Sequence, residues 1–457
     1  MNASIVVATD AMCGRDRVTP SRASSSRAAM LAPLARVARR AMAARARRAS
    51  PRRAGARARA GEATRGDDDA RARVVVVGGG AAGVACARAL AATRDVTLFD
   101  GGRALGGRAS TRAGEGGAWE HGARFVDETR ETAGDDDDGA EAWMRARARE
   151  GAFETWEGAV VALDGGRAVK KRVGARRCAT PSFGAVAEAL LEKVDARKRA
   201  RVLGLDARDV DDAGVTVTYR SAAPGEGGET RSMSGFDVVV LADKNAANVA
   251  DALGVEELAR AMREVPSVPA LVLMVTLNRA PAIEFVGAEI ENDDALSWIS
   301  NESSKPSRRN DANCWVAHST DAYARARVNL DTRPGTREHD AWMDAVANEM
   351  SESLLRILRE AEANAAVDVD VAPLEITFAR AHRWGAAFPA AVAVGAEKSK
   401  FLRATSTSPT GRVTTVYAVG DYCVEHDRFG GFRAAVASGL ACAEDILLAT
   451  KSARSKL

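Results

Sequence analysis

The sequence predicts an α/β fold on three observations. A wholly apolar run, Val74-Val75-Val76-Val77, leads straight into a glycine cluster and then into a helix of small residues. A second strand-forming run, Thr414 to Val419, ends on Gly420-Asp421 near the far end of the chain. Between the two lie several stretches that alternate like strands. A strand with no polar member suits a sheet covered on both faces, and such sheets are built from parallel strands joined by helices.

The first element is the strand Val74–Val77. Gly78-Gly79-Gly80-Ala81-Ala82-Gly83 follows and fits G-x-G-x-x-G. Ala81 through Ala92 predicts a helix, and Val96-Thr97-Leu98-Phe99 a second strand ending on Asp100. Gly78 permits the tight turn, and Gly80 lets the backbone approach a pyrophosphate with no Cβ in the way. Ala82 lies in the helix's first turn, and Gly83 lets the helix pack close on the sheet. The helix N-terminus aims free N–H groups and a positive dipole end at the phosphates. Asp100, 22 residues after Gly78, is placed to accept hydrogen bonds from ribose hydroxyls. With 40 glycines in 457 residues, the bare glycine pattern arises by chance in roughly a third of such chains. The flanking strands, the helix and the terminal acid together give it weight. The segment reads as a dinucleotide-binding loop, for NAD or FAD.

The next residues separate the two. Gly106-Gly107-Arg108 follows the loop that holds Arg103, and then comes Ser110-Thr111-Arg112. A second glycine pair with an arginine places a cation beside the pyrophosphate from the other side. Here the chain resembles flavin enzymes of the amine-oxidase and renalase type, whose pattern is strand, G-x-G-x-x-G, acid, then G-G-R. Glu120-His121-Gly122-Ala123-Arg124-Phe125 is similar to that family's D-H-G-A-Q-x-F segment, with Glu and Arg in place of Asp and Gln and one residue missing before Phe. At the other end, Gly420-Asp421 stands where such proteins place a Gly-Asp near the ribityl chain and pyrophosphate. Phe429-Gly430-Gly431-Phe432-Arg433-Ala434-Ala435 then begins a small-residue helix running to Leu448. The resemblance implies that its N-terminus faces the flavin pyrimidine, where N–H groups could stabilise the negative charge of a reduced flavin.

In the middle, Pro181-Ser182-Phe183-Gly184 precedes a helix predicted over 185–194, similar to the family's return to its cofactor domain. Arg201–Leu205 and Val215–Tyr219 predict strands joined by a turn at Asp211-Asp212-Ala213-Gly214, and Phe236–Ala242 predicts another buried strand. Leu271–Leu277 is a further strand. Trp298-Ile299, Ser303-Ser304-Lys305-Pro306 and Trp315-Val316-Ala317-His318-Ser319-Thr320 resemble renalase-like segments, as does His382-Arg383-Trp384. The resemblance covers residues 72 to 448 with gaps.

The expected architecture is a Rossmann-type FAD-binding domain, discontinuous in sequence, with an inserted α+β substrate domain. Residues 72–130, 174–250 and 405–450 form the first, and 131–173 and 251–404 the second. Non-covalent FAD is the implied cofactor, held by Gly78, Gly80, Ala82, Gly83, Asp100, Arg103, Gly107, Arg108, Gly420, Asp421 and Gly430. A flavin site needs a cation or donor near its substrate, which points to His382 and Arg383, with His121 beside the cofactor loop. His318 on a strand reads as a structural histidine, and Trp384 as a pocket wall or core. The resemblance implies an oxidoreductase that takes a hydride from a small organic donor, such as a reduced nicotinamide isomer, with O2 as acceptor. An amine oxidase, an isoprenoid desaturase and a non-catalytic flavin-binding protein are the alternatives. Few aromatics, 5% of residues, speak against an amine-binding aromatic cage.

Charge and composition narrow the classes further. The net charge of +3 hides fourteen arginines in residues 1–60 against Asp10 and Asp16, which leaves a body of 51 bases and 60 acids. That balance does not suit a nucleic-acid-binding surface. No apolar run approaches the ~18 residues of a membrane span, so none is expected. The six cysteines, Cys13, Cys86, Cys178, Cys314, Cys423 and Cys442, include no C-x-x-C pair, which points to buried thiols rather than zinc or a disulfide framework. Residues 1–70, rich in Arg, Ala and Ser, read as an organellar transit segment, with chloroplast expected and mitochondrion not separable from it. Within the tail 451–457, Ser455-Lys456-Leu457 matches a peroxisomal address. Asp135–Asp138 reads as a solvated loop insertion.

Overall fold

A six-stranded sheet forms the first layer. Its spatial order is Asp195–Arg197, Asp95–Phe99, Arg73–Val77, Val238–Leu241, Val413–Ala418 and Leu402–Thr407. The first five strands run parallel and the last antiparallel. Val74, Val75 and Val76 are fully buried, as an apolar strand in a doubly covered sheet must be. This computed structural model describes residues 71–454 apart from 115–116, 128–138, 172–174, 208–213, 223–227, 309–311, 330, 366–371 and 427–429. The transit-like segment, Asp135–Asp138, the turn residues Asp211–Ala213, Phe429 and the Ser-Lys-Leu end therefore lie outside the described residues.

Helices Ala81–Leu90 and Gly431–Arg454 cover one face of this sheet, and Val74, Val76, Leu98, Val240 and Tyr417 pack against Leu90 and Cys442. Gly439 is the point of closest approach, since a Cβ there would lie 2.2 Å from the Ala82 carbonyl oxygen. The other face carries the antiparallel sheet Ala200–Asp206, Val215–Ser221 and Thr230–Phe236 together with helix Glu256–Glu264.

A seven-stranded sheet forms the second layer. Its order is Ile376–Pro389, Ser267–Leu277, Asn313–Ser319, Leu296–Asn301, Phe285–Glu291, Ala159–Asp164 and Arg167–Lys171. Only the pairing of Phe285–Glu291 with Ala159–Asp164 is parallel. Helix Arg337–Asn364 packs Val346, Met350, Leu354 and Leu358 on one face of it. Two aromatic clusters lie elsewhere on the sheet. One sets Trp119 against Val272, Met274 and Val316, and the other joins Phe125, Trp156 and Trp298. Trp119 comes from the hairpin Thr111–Gly114 and Gly117–Glu120, so the segment after the cofactor loop reaches this second sheet.

Several expectations shift. Phe236–Ala242 is not one strand but breaks at Asp237, leaving Phe236 in the three-stranded sheet and Val238–Leu241 in the six-stranded one. The break is fixed by polar pairing. The Asp237 carboxylate accepts the Arg73 backbone N–H at 2.8 Å and is bonded by Arg412. The helix predicted over 185–194 runs over Phe183–Leu190, because Ser182 caps it by accepting the Ala185 N–H at 3.2 Å. Leu258, Ala259 and Met262 belong to the core of the parallel sheet, and the edge strand Leu402–Thr407 straddles the expected limit at 404. Apolar faces rather than sequence position thus decide which core the segment Glu256–Glu264 joins. No helix among the described residues is long and apolar enough to cross a membrane.

Candidate functional site

A cavity of about 390 Å³ opens where four parallel strands end. Gly78, Asp100, Ala242 and Gly420 all line it, each just past the C-terminal end of its strand. This is the edge at which open α/β sheets bind ligands.

The loop's geometry follows from its glycines. Gly78 has φ +114°, and a Cβ there would meet the Ala242–Asp243 backbone at 2.8 Å. Gly80 has ordinary extended backbone, and a Cβ there would meet nothing within 4 Å. The space beside it is open, as a closely approaching pyrophosphate requires. Asp100 ties the loop down by accepting the Gly79 N–H at 2.7 Å and the Gly102 N–H at 2.6 Å. Burial raises its pKa above the ordinary carboxylate value, and the two backbone bonds oppose that. The second glycine pair lies against the first loop, with the Gly106 N–H bonded to the Gly79 carbonyl at 2.8 Å.

Arg108 and Asp421 meet face to face. The guanidinium donates to both carboxylate oxygens, at 2.5 and 2.7 Å, and also to the Ala387 carbonyl at 2.8 Å. Such a two-pronged pair fixes orientation as well as charge. It joins the loop from the start of the chain to the strand end near its finish, and both residues line the cavity. Gly431, Phe432 and Ala435 bring the first turns of the last helix to the same wall. Ser438 holds that helix in place by accepting the Gly420 N–H at 3.0 Å.

Of the expected cofactor residues, Gly78, Gly80, Ala82, Asp100, Gly107, Arg108, Gly420 and Asp421 line the cavity. Gly83 is buried behind it, where a Cβ would lie 2.0 Å from the Gly78 carbonyl oxygen. Gly430 sits just before the wall, its carbonyl accepting the Ala434 N–H at 2.9 Å. Arg103 is exposed on the loop and lies outside the wall.

The expected catalytic residues are placed differently. Arg383 turns away, donating to the Asn329 and Thr332 carbonyls and stacking over Trp342 at 5.6 Å. His382 and His121 lie one layer behind the cavity wall. Their rings meet edge to face at 4.7 Å, and His121 stacks on Trp384 at 5.2 Å. Trp384 lines the cavity and is held by donating its indole N–H to the His121 carbonyl at 2.7 Å. Burial, and then the Arg112 charge, lower His121 to about 4. Burial, followed by His121, Arg112, Arg380 and Arg383, lowers His382 to about 3. Both imidazoles are neutral at pH 7. His318, expected to be structural, is buried in the cavity wall.

Other wall residues were not anticipated. Lys244 follows the strand Val238–Leu241 and donates to Ser267 Oγ at 2.9 Å and to the Val265 carbonyl. Burial lowers its pKa; Asp421 opposes this and Arg108 adds to it. Asp243, Asn245 and Phe388 complete that side. The available signal was the end of a buried parallel strand, which places the next residues at the ligand edge. The motif Ser303–Pro306 turns out to be structural. Lys305 pairs with Glu302 at 2.6 Å, Arg308 pairs with Glu120, and Glu302 also accepts the Glu120 N–H at 3.0 Å. Glu120, Glu302 and Lys305 are all nearly inaccessible to solvent. This buried ionic network fastens the hairpin that carries His121 to the second sheet.

A family profile described as an NAD(P)-binding Rossmann-like domain matches residues 76–133. No curated protein matches the sequence. Among solved structures, the chain is similar to a protein assigned as a protoporphyrinogen oxidase from Exiguobacterium sp. 255-15, with TM-score 0.52 and 14% identity, covering 82% of this chain and 99% of that one. It is also similar to p-nitrophenol 4-monooxygenase from Pseudomonas putida DLL-E4, with TM-score 0.50 and 14% identity, covering 84% of this chain and 82% of that one. At such identity the likeness is one of fold: a Rossmann-like nucleotide domain combined with a second sheet.

Proposed function

We propose that this chain is a FAD-dependent oxidoreductase that takes a hydride from a small organic donor. The carrying observation is the single cavity that runs from the ribose-type acid Asp100, past the open space at Gly80, to the aromatic wall at Trp384. The residues fit the cofactor. Gly80 leaves room for a pyrophosphate, Asp100 keeps lone pairs for a ribose, and the Arg108–Asp421 pair closes the cradle from the far end of the chain. When bound, FAD supplies hydride acceptance at its ring N5 and passes electrons on to an acceptor, for which O2 is the proposed candidate.

The remaining work falls to the protein. The N-terminus of helix Gly431–Arg454 offers N–H groups and a positive dipole end to negative charge in the cavity. Trp384, Phe388 and the buried His318 wall off water and orient the donor. The names of the two structural neighbours agree with flavin-type redox chemistry, and the sequence resemblance to renalase-like enzymes supports a reduced nicotinamide isomer as donor. The experiment is anaerobic mixing of the purified protein with reduced nicotinamide isomers and a panel of amines. The expected result is a yellow protein whose flavin is released on denaturation and whose flavin absorption band bleaches with a nicotinamide isomer. A protein that binds no flavin, or whose flavin band no donor changes, would overturn the reading.

A further inference from the structure

Behind Trp384 lies a concentration of positive charge that no acid among the described residues answers. Arg112 is half-buried on the hairpin strand Thr111–Gly114. Arg380, His382 and Trp384 alternate along the strand Ile376–Pro389, so their side chains leave the same face of it. Arg103 is on the exposed loop between Asp100 and Gly106. Trp119, paired with Arg112 across the hairpin, stacks on Phe378 at 5.1 Å, and His121 meets His382 at 4.7 Å, so the hairpin lies on that face and brings Arg112 to the side of the strand that carries Arg380. Among the described residues, none of these three guanidinium groups has a hydrogen-bond partner or a carboxylate within ion-pair distance. This contrasts with Arg108, Arg279 and Arg308, each of which is paired.

The electrostatics agree with the geometry. Burial, followed by Arg380 and Arg103, lowers Arg112 to about 10. Apart from the neutral His121, the groups acting on His382 are the cations Arg112, Arg380 and Arg383. Like charges gathered around a half-buried arginine are unfavourable unless something anionic neutralises them. The planar donor fork of arginine suits the oxygens of a phosphate or carboxylate. The two histidines cannot serve as that counter-charge, because both are neutral and packed as an aromatic layer against Trp384.

We propose that Arg112 and Arg380, with Arg103 at the rim, bind the oxyanion of the electron donor, a phosphate or carboxylate, while the donor's reducing ring enters the cavity beside Trp384. This rests on the oxidoreductase reading and narrows it to anionic donors. The aromatic layer of His121, His382 and Trp384 separates the anion from the reacting end and sets the reach the donor needs.

The test uses the flavin-bearing protein and its R112Q, R380Q and R112Q/R380Q variants. Flavin reduction is followed with a reduced nicotinamide mononucleotide isomer, the corresponding phosphate-free riboside and a carboxylated analogue of the riboside. The wild-type protein should favour the phosphate- or carboxylate-bearing donors by about tenfold or more, in half-saturating concentration rather than limiting rate. The double variant should bring that ratio close to one while keeping its flavin and melting at the same temperature or higher. A ratio unchanged in the double variant would overturn the proposal. If no donor reduces the flavin, the oxidoreductase reading fails, but the anion site is still tested by calorimetric titration with inorganic pyrophosphate. Binding to the wild type that the double variant loses supports the site. Absent or equal binding in both assigns the arginines to solvated surface and ends the proposal.

Discussion

Gly80 and Gly83 are three residues apart, and the fold asks opposite things of them. At Gly80 a side chain has room but would occupy the space left for a phosphate. At Gly83 it would collide with the Gly78 carbonyl oxygen at 2.0 Å. Gly80→Val should therefore fold with a melting temperature within about 2 °C of the wild type in the flavin-free state, yet lose bound flavin. Gly83→Ala should be destabilised by roughly 1–3 kcal/mol with or without flavin. Thermal melts of apo and reconstituted protein separate the two, and equal losses at both positions would contradict this account of the loop. Both roles were legible in the sequence because they follow from spacing within one turn. The Arg108–Asp421 pair was not. Each residue could be singled out, but a contact across 313 positions depends on how strands are ordered in the sheet. The Arg383 guanidinium shows the same limit from the other side, since the strand could be read but the direction of its side chain could not.

At the scale of elements, the two helices on one face of the parallel sheet carry the cavity between them. Helix Ala81–Leu90 starts at the glycine loop, and helix Gly431–Arg454 starts at the opposite wall. Their separation is set where Gly439 meets the Ala82 carbonyl, with 2.2 Å available to a Cβ. Gly439→Val should push the helices apart, lowering the melting temperature and weakening flavin binding together, because the same displacement loosens packing and moves the last helix's N-terminus from the cavity. Flavin titration alongside a thermal melt checks this, and a stability loss with unchanged flavin affinity would show that the spacing does not reach the site. The strands of this layer were legible because unbroken apolar runs have one good environment, a buried sheet. The second layer was less so. Phe236–Ala242 looks continuous, but Asp237 pairs with Arg73 and Arg412 and divides the run between two sheets. Lys244 was passed over for a related reason, since nothing in its neighbours says that the next stretch of chain returns beside Ser267.

On the scale of the whole molecule, His121 and His382 stand where the hairpin after the cofactor loop meets the long strand of the second sheet. They sit at about 4 and about 3, against an ordinary 6.5, chiefly through burial and then through neighbouring cationic groups. A depressed imidazole takes up its proton more readily in the unfolded chain than in the folded one. The stability it contributes is therefore complete above pH 6.5 and is lost as the pH falls toward the folded value, by up to about 1.4 kcal/mol per pH unit for each histidine. Below about 3 both states are protonated and the loss levels off. Carboxylates throughout the chain also respond to acid, so the informative quantity is the difference between wild type and variant. His121→Gln and His382→Gln should each flatten the fall in melting temperature between pH 7 and pH 4, whatever they cost at pH 7. Parallel wild-type and variant curves over that window would mean that the junction already accepts the proton while folded, through movement of Arg112 or through an anion held beside it. The anion alternative has its own signature: adding inorganic pyrophosphate should then make the wild-type curve shallower and leave that of R112Q/R380Q unchanged.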